Sequence, residues 1–154
     1  MRLFFNWIFG IILIVGLFSS CSSEPISSEI TQVKYGTSFG ECIGYCKHDL
    51  LLKPSIAIYN FSSWNATLIP ETYTETINDT TWDSVTSNLN IQDFFELPEI
   101  IGCPDCADGG AEWIEIELSN GNIHKVTFEY NNEPTLLKNT VVVLRDLMNR
   151  HNVN

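Results

Sequence analysis

Between Ala111 and Tyr130 the chain alternates apolar and polar residues along two runs separated by Ser119-Asn120-Gly121. Glu112, Ile114, Ile116 and Leu118 share one face of the first run, with Trp113, Glu115 and Glu117 on the other. The return run carries His124, Val126, Phe128 and Tyr130 on one face and Ile123, Lys125, Thr127 and Glu129 on the other. A period of two marks half-buried strands. A two-residue turn would set the apolar residues of one strand against polar residues of the other. A three-residue loop pairs Ile114 with Val126 and Ile116 with His124, and places Gly121 where a left-handed backbone is needed. That register is expected, because a slip of one residue turns the whole apolar set to solvent. Glu115 is then expected across from Lys125.

The remaining pattern extends the hairpin into a domain. Ile30–Tyr35 reads as a first strand. Leu50–Phe61 reads as a second, with Ile56, Ile58 and Asn60 on the inner face and Pro54 marking an edge or a bulge. Trp64–Ile77 reads as a third, broken near Pro70. Trp82, Val85 and Leu89 recur at helical spacing, with Thr80 or Thr81 as the cap and Asp83 set against the helix dipole. A short helical piece, Ile91 to Leu97, stops at Pro98. From Pro134 onward Leu136, Leu137, Val141, Leu144, Leu147 and Met148 form one stripe, and Arg145, Arg150 and His151 sit near the helix end, where cations are favoured. The expected fold is α+β, an antiparallel sheet of about five strands with two helices packed on one face.

The first residues determine where such a domain lives. Met1-Arg2 is followed by an apolar run to Phe18 and then Ser19-Ser20-Cys21. The run is short for a membrane span and has the layout of a secretory signal. Small residues directly before a cysteine resemble the processing site of bacterial lipoprotein precursors. That resemblance implies cleavage after Ser20 and acylation of Cys21. The expected organisation is a signal peptide over 1–20, a flexible Ser/Pro/Glu tether over 21–29 and a single α+β domain over 30–154. Two or three acyl chains at ~0.8 kcal/mol per buried methylene anchor a protein durably. Loss of residues 1–20 removes Arg2 from eight basic residues and none of the nineteen acidic ones, moving the net charge from −11 to −12. So acidic a body excludes electrostatic binding to nucleic acid or anionic lipid. The membrane is reached through the lipid, in the cell envelope, with the outer membrane of a Gram-negative bacterium as the expected location.

Four further cysteines form two pairs, Cys42 and Cys46 as C-x3-C and Cys103 and Cys106 as C-x2-C. Export to an oxidising compartment favours two disulfides. Four cysteines allow three connectivities, which the sequence leaves open; each pair lies in its own Gly-rich turn, which favours Cys42–Cys46 and Cys103–Cys106 over a bridge from Cys42 to Cys103. Two other uses of the same cysteines stand beside it: a zinc or copper site of four thiolates, and a redox-active pair at Cys103–Cys106, against which Asp105 and Asp108 act by raising a thiol pKa. Asp105, Asp108 and Glu112 lack helix-loop-helix calcium spacing and read as an acidic turn. His48, His124 and His151 show no ligand or triad spacing, and no phosphate loop, serine elbow or paired-carboxylate motif is present. Neither a catalytic residue nor a cofactor is called for.

Phe39-Gly-Glu-Cys-Ile-Gly-Tyr-Cys46 and Gly102-Cys-Pro-Asp-Cys-Ala-Asp-Gly-Gly-Ala-Glu-Trp-Ile-Glu-Ile116 resemble segments of uncharacterised bacterial cell-envelope lipoproteins with a paired-cysteine loop, a hairpin and a C-terminal helix. The resemblance covers most of residues 31–150. It implies a shared fold and brings no active-site residues with it. The expected function is a non-enzymatic binding or structural domain, partnered by an envelope protein or a small ligand. A metal-binding or thiol-redox accessory protein, or an inhibitor presenting the Cys42–Cys46 loop to a protease, are the alternatives.

Overall fold

A computed structural model describes residues 28–64 and 68–151 of the chain. The expected signal peptide, Cys21 and most of the tether lie outside the described residues. Among the described residues no helix is long and apolar enough to cross a membrane.

The fold is α+β. Its strands are β1 (Ile30–Ser38), β2 (Lys47–Lys53), β3 (Ile56–Ser62), β4 (Glu71–Thr76), β5 (Ile100–Ile101), β6 (Ala111–Leu118) and β7 (Ile123–Glu129). The helices are α1 (Asp79–Thr86) and α2 (Ile91–Glu96), both between β4 and β5, and α3 (Lys138–Met148) after β7. All seven strands form one sheet in the order β4-β3-β2-β1-β6-β7-β5. The sheet is mixed rather than wholly antiparallel, because Ile100 and Ile101 pair with Thr127 and Phe128 in parallel. Two strands and one helix exceed the expected count.

The hairpin register is the expected one. Ile114 faces Val126, Ile116 faces His124 and Glu115 faces Lys125. The Leu118 N–H donates to the Asn122 carbonyl over 2.9 Å, and Gly121 takes φ +83°. The stretch Leu50–Phe61 differs from expectation. It belongs to two strands, with Lys53 opposite Ile56 and Pro54-Ser55 as the turn between them. The turn resets the phase, so Ala57, Tyr59 and Phe61 are buried, while Ile56, Ile58 and Asn60 face the open side. This phase puts the two large aromatic rings inside, each worth ~1.5–3 kcal/mol when fully buried.

Inner-face residues of β1, β2, β3, β6 and β7 join Val85 of α1, Phe94 of α2, and Val141, Leu144 and Leu147 of α3 in a single core. The helices therefore cover one face of the sheet, and the other stays open. Asn78, not Thr80 or Thr81, caps α1, its side chain accepting from the Thr81 N–H. The acid in the first turn is Asp79 rather than Asp83. Pro134 opens a short 3-10 turn, Thr135–Leu137, and α3 proper begins at Lys138.

Candidate functional site

β1 and β6 run antiparallel, with Ser38 opposite Ala111. The connection after β1 and the connection before β6 therefore meet at one end of the sheet. These connections hold the four cysteines. Cys42 is joined to Cys46 with Cα atoms 5.7 Å apart, and Cys103 to Cys106 with Cα atoms 5.5 Å apart. The Gly40 N–H donates to Asp105 over 3.3 Å and ties the two loops together. Each bridge closes a very short loop, worth about 2 kcal/mol by chain entropy. The sulfurs pair within their own turns and do not gather into one thiolate site. Among the described residues no three His, Cys, Asp or Glu side chains are placed to hold a metal ion.

The Cys103–Cys106 turn has left-handed backbone at Asp105 (φ 61°), Ala107 (φ 52°) and Asp108 (φ 58°). Asp tolerates this region and Ala does so only at a cost of about 1–2 kcal/mol. The Cys103 N–H donates to Glu129 over 2.9 Å, which holds that carboxyl below its usual range, together with the Asn132 amide. Both cysteines of this turn are exposed, whereas Cys46 is buried, its N–H and carbonyl bonded to Ser62 and Phe39.

Glu112 does not belong to the acidic turn. It points into the core and is fully buried. Arg145 of α3 grips it with two hydrogen bonds, Nε to Oε1 at 2.9 Å and Nη2 to Oε2 at 2.5 Å, and Nη2 also reaches Glu133 at 2.7 Å. The Tyr35 hydroxyl and the Asn131 N–H donate to the same carboxylate. Burial and the Glu112 charge raise the Tyr35 pKa, so the hydroxyl remains a donor. Burial works against the Arg145 charge, but Glu112 and Glu133 outweigh it. A cavity of ≈220 Å³ adjoins this network, with Thr37 and His48 in its wall. His48 Nε2 is already bonded to the Tyr45 carbonyl at 2.8 Å.

The open face of the sheet holds a larger cleft of ≈500 Å³. Its floor is Trp113, only 8% exposed, with its indole laid across Gly36 of β1. Lys125 of β7 stands 4.8 Å above the ring and Lys47 of β2 5.9 Å above it. Lys125 faces Glu115 in register, yet the carboxylate is taken by Lys34 on the other side, at 2.6 Å. Lys47 is paired with Asp49 at 3.2 Å. Trp64 forms part of the wall, its indole N–H donating to the Phe39 carbonyl. The sequence pattern alone marks none of these cleft residues as a site. The signal was there in part: Trp113 and Lys125 fall on the polar phase of the hairpin, where a large aromatic ring needs a partner.

His124 is the half-buried strand residue expected beside Ile116, and its Nε2 meets the Leu97 carbonyl at 2.9 Å. His151 stacks on Tyr73 at the far edge of the sheet, close to Glu75. The Tyr59 hydroxyl, with His151 and Arg150, holds the Glu75 carboxyl below its usual range against the effect of burial. Burial opposes ionisation of Glu133, but its backbone N–H and Arg145 bring that carboxyl low as well. Burial lowers the His48 pKa too.

These shifts predict acid sensitivity. The depressed carboxyls of Glu75 and Glu133 contribute stability that is complete above the ordinary value of 4.5 and is lost as pH falls through their folded values. His48 adds to the loss below its unfolded value of 6.5, where the unfolded chain binds a proton that the folded chain resists. The urea midpoint is expected to fall gently from pH 7 to 5 and steeply below. A midpoint that is flat down to pH 3 would contradict this.

Comparison of the chain with known protein families finds no family model that matches it, and comparison with curated proteins finds no match.

Proposed function

We propose that the chain is a lipid-anchored protein of the bacterial cell envelope, held to the outer membrane through Cys21, whose domain acts by binding an envelope protein or a small ligand rather than by catalysis. One observation carries the reading: the four cysteines beyond Cys21 pair locally in two loops at the end of the sheet remote from the tether. At the near end Glu29 and Ser119 exchange hydrogen bonds beside the β6–β7 turn. The nine residues of β1 separate the two ends by about 30 Å. A domain tethered at Glu29 thus holds its braced loops away from the bilayer. Buried Glu112 and Tyr35 and half-buried Arg145 are engaged with one another, which suits a scaffold more than a reaction centre.

Cells supplied with radiolabelled palmitate are expected to label the protein, and Cys21→Ser to abolish the label. Export is expected to leave no free thiol among Cys42, Cys46, Cys103 and Cys106. A wild-type chain that stays unlabelled, with its thiols reduced, would end this reading.

A second reading, thiol exchange at Cys103–Cys106, is favoured by the exposure of both cysteines. Attack on a disulfide needs access to a sulfur. Graded dithiothreitol followed by alkylation and mass mapping is therefore expected to open Cys103–Cys106 well before Cys42–Cys46. Simultaneous opening would remove the distinction, and with it the second reading.

A further inference from the structure

We infer that the cleft over Trp113 binds an acidic saccharide, a pyranose-sized ring carrying a carboxylate. The inference rests on the binding reading above but not on the lipid anchor.

Three of the eight basic residues of this acidic chain, Lys34, Lys47 and Lys125, converge on one cleft. They come from β1, β2 and β7, and only the sheet order brings them together. Lys34 is neutralised by Glu115, and Lys47 is shared with Asp49. Lys125 has no carboxylate within ion-pairing distance among the described residues, and its ammonium is held over the indole instead. Such a contact is worth about 0.5–1 kcal/mol at an exposed site, less than a charge-assisted hydrogen bond at about 1.5–3. An incoming carboxylate therefore draws Lys125 off the ring and exposes the aromatic face beneath it.

That sequence of events selects the ligand. The anionic group meets Lys125 and Lys47. A flat, apolar ring face then replaces the ammonium over Trp113. Hydroxyls find Ser38, Thr127 and the Asp49 carboxylate along the same wall. The cleft volume of ≈500 Å³ lies in the range of small-ligand sites, about 300–1,000 Å³. A ligand with several phosphates is disfavoured by the net charge of the body, whereas a single carboxylate is not. An acidic sugar combines one negative charge, a hydroxyl-rich rim and an apolar ring face.

The test is calorimetric titration of the full chain, purified in detergent, with trigalacturonate, with the neutral galactose trisaccharide and with inorganic phosphate. Saturable binding of trigalacturonate is expected, with the neutral sugar at least about tenfold weaker, as expected for one lost charge-assisted bond. Lys125→Gln and Lys47→Gln are each expected to weaken binding about tenfold, while Lys53→Gln, at the opposite end of β2, leaves it unchanged. Far-UV circular dichroism verifies that the variants are folded. No saturable binding, equal affinity for the neutral sugar, or full affinity in Lys125→Gln would overturn the inference. Displacement of the saccharide by phosphate at equal concentration would overturn the sugar and leave a simple anion site. A palmitate-labelled protein that ignores uronates fails this test alone. A uronate-binding protein without the label fails only the anchor.

Discussion

Arg145→Ala is expected to cost about 3–5 kcal/mol of folding stability, the usual penalty for leaving a buried charge without its partner. Glu112 is fully buried, and two of its hydrogen bonds come from this one guanidinium. With Arg145 gone, the carboxylate keeps only the Tyr35 hydroxyl and the Asn131 N–H, neither of which carries a compensating charge. Such a loss is a large part of the ~5–15 kcal/mol that a domain of this kind has in total. A control separates the pair's role from lost side-chain bulk. Replacing both partners by apolar residues of similar volume, Glu112→Leu with Arg145→Met, removes the stranded charge, so the double variant is expected to be more stable than Arg145→Ala alone. Urea unfolding of the three proteins at pH 7 decides the matter. An Arg145→Ala protein within about 1 kcal/mol of wild type would mean that the network is solvated rather than buried.

The phase that buries Glu112 could be read from the hairpin alternation, which already set it on the same side as Ile114, Ile116 and Leu118. Its partner was harder to identify. Arg145 reads equally well as a cation placed against the C-terminal dipole of α3, and only the packing of α3 on β6 distinguishes the two roles. The β6–β7 register was legible because loop length and alternation constrain each other. Pro54 reads as an edge or a bulge as readily as a turn, because a two-residue turn leaves no composition signal beyond the proline itself, and the phase of everything after it depends on that turn. β5 escaped because two residues carry no period. The cleft was illegible for a different reason. Lys34, Lys47 and Lys125 are scattered along the chain, and nothing local says that β1 lies between β2 and β6. Spacing favours the two local cysteine pairings without excluding the other connectivities, since closeness in the chain eases closure but says nothing of how near the two loops lie to each other.

Gly36→Ala is expected to destabilise the domain by about 1–3 kcal/mol, the range for forcing atoms into a filled site, and to abolish ligand capture in the cleft. The reason is space, not backbone conformation. Gly36 lies directly opposite Trp113 in the β1–β6 register, and a Cβ there would lie 2.2 Å from Cζ2 of the indole and 2.8 Å from the His48 carbonyl. The backbone carbonyl cannot yield, so the ring must lift. A lifted ring loses its contact with the sheet and fills the volume above which Lys47 and Lys125 stand. Trp113 fluorescence is then expected to shift to the red. A double-mutant cycle isolates the cause, because the penalty of Gly36→Ala should shrink in a Trp113→Ala background by the part the indole imposes, leaving only the part due to the His48 carbonyl. An undiminished penalty in that background would place the clash at the His48 carbonyl instead. The indole would then no longer be the reason this strand carries a glycine, and Trp113 would lose its place as the fitted floor of the cleft.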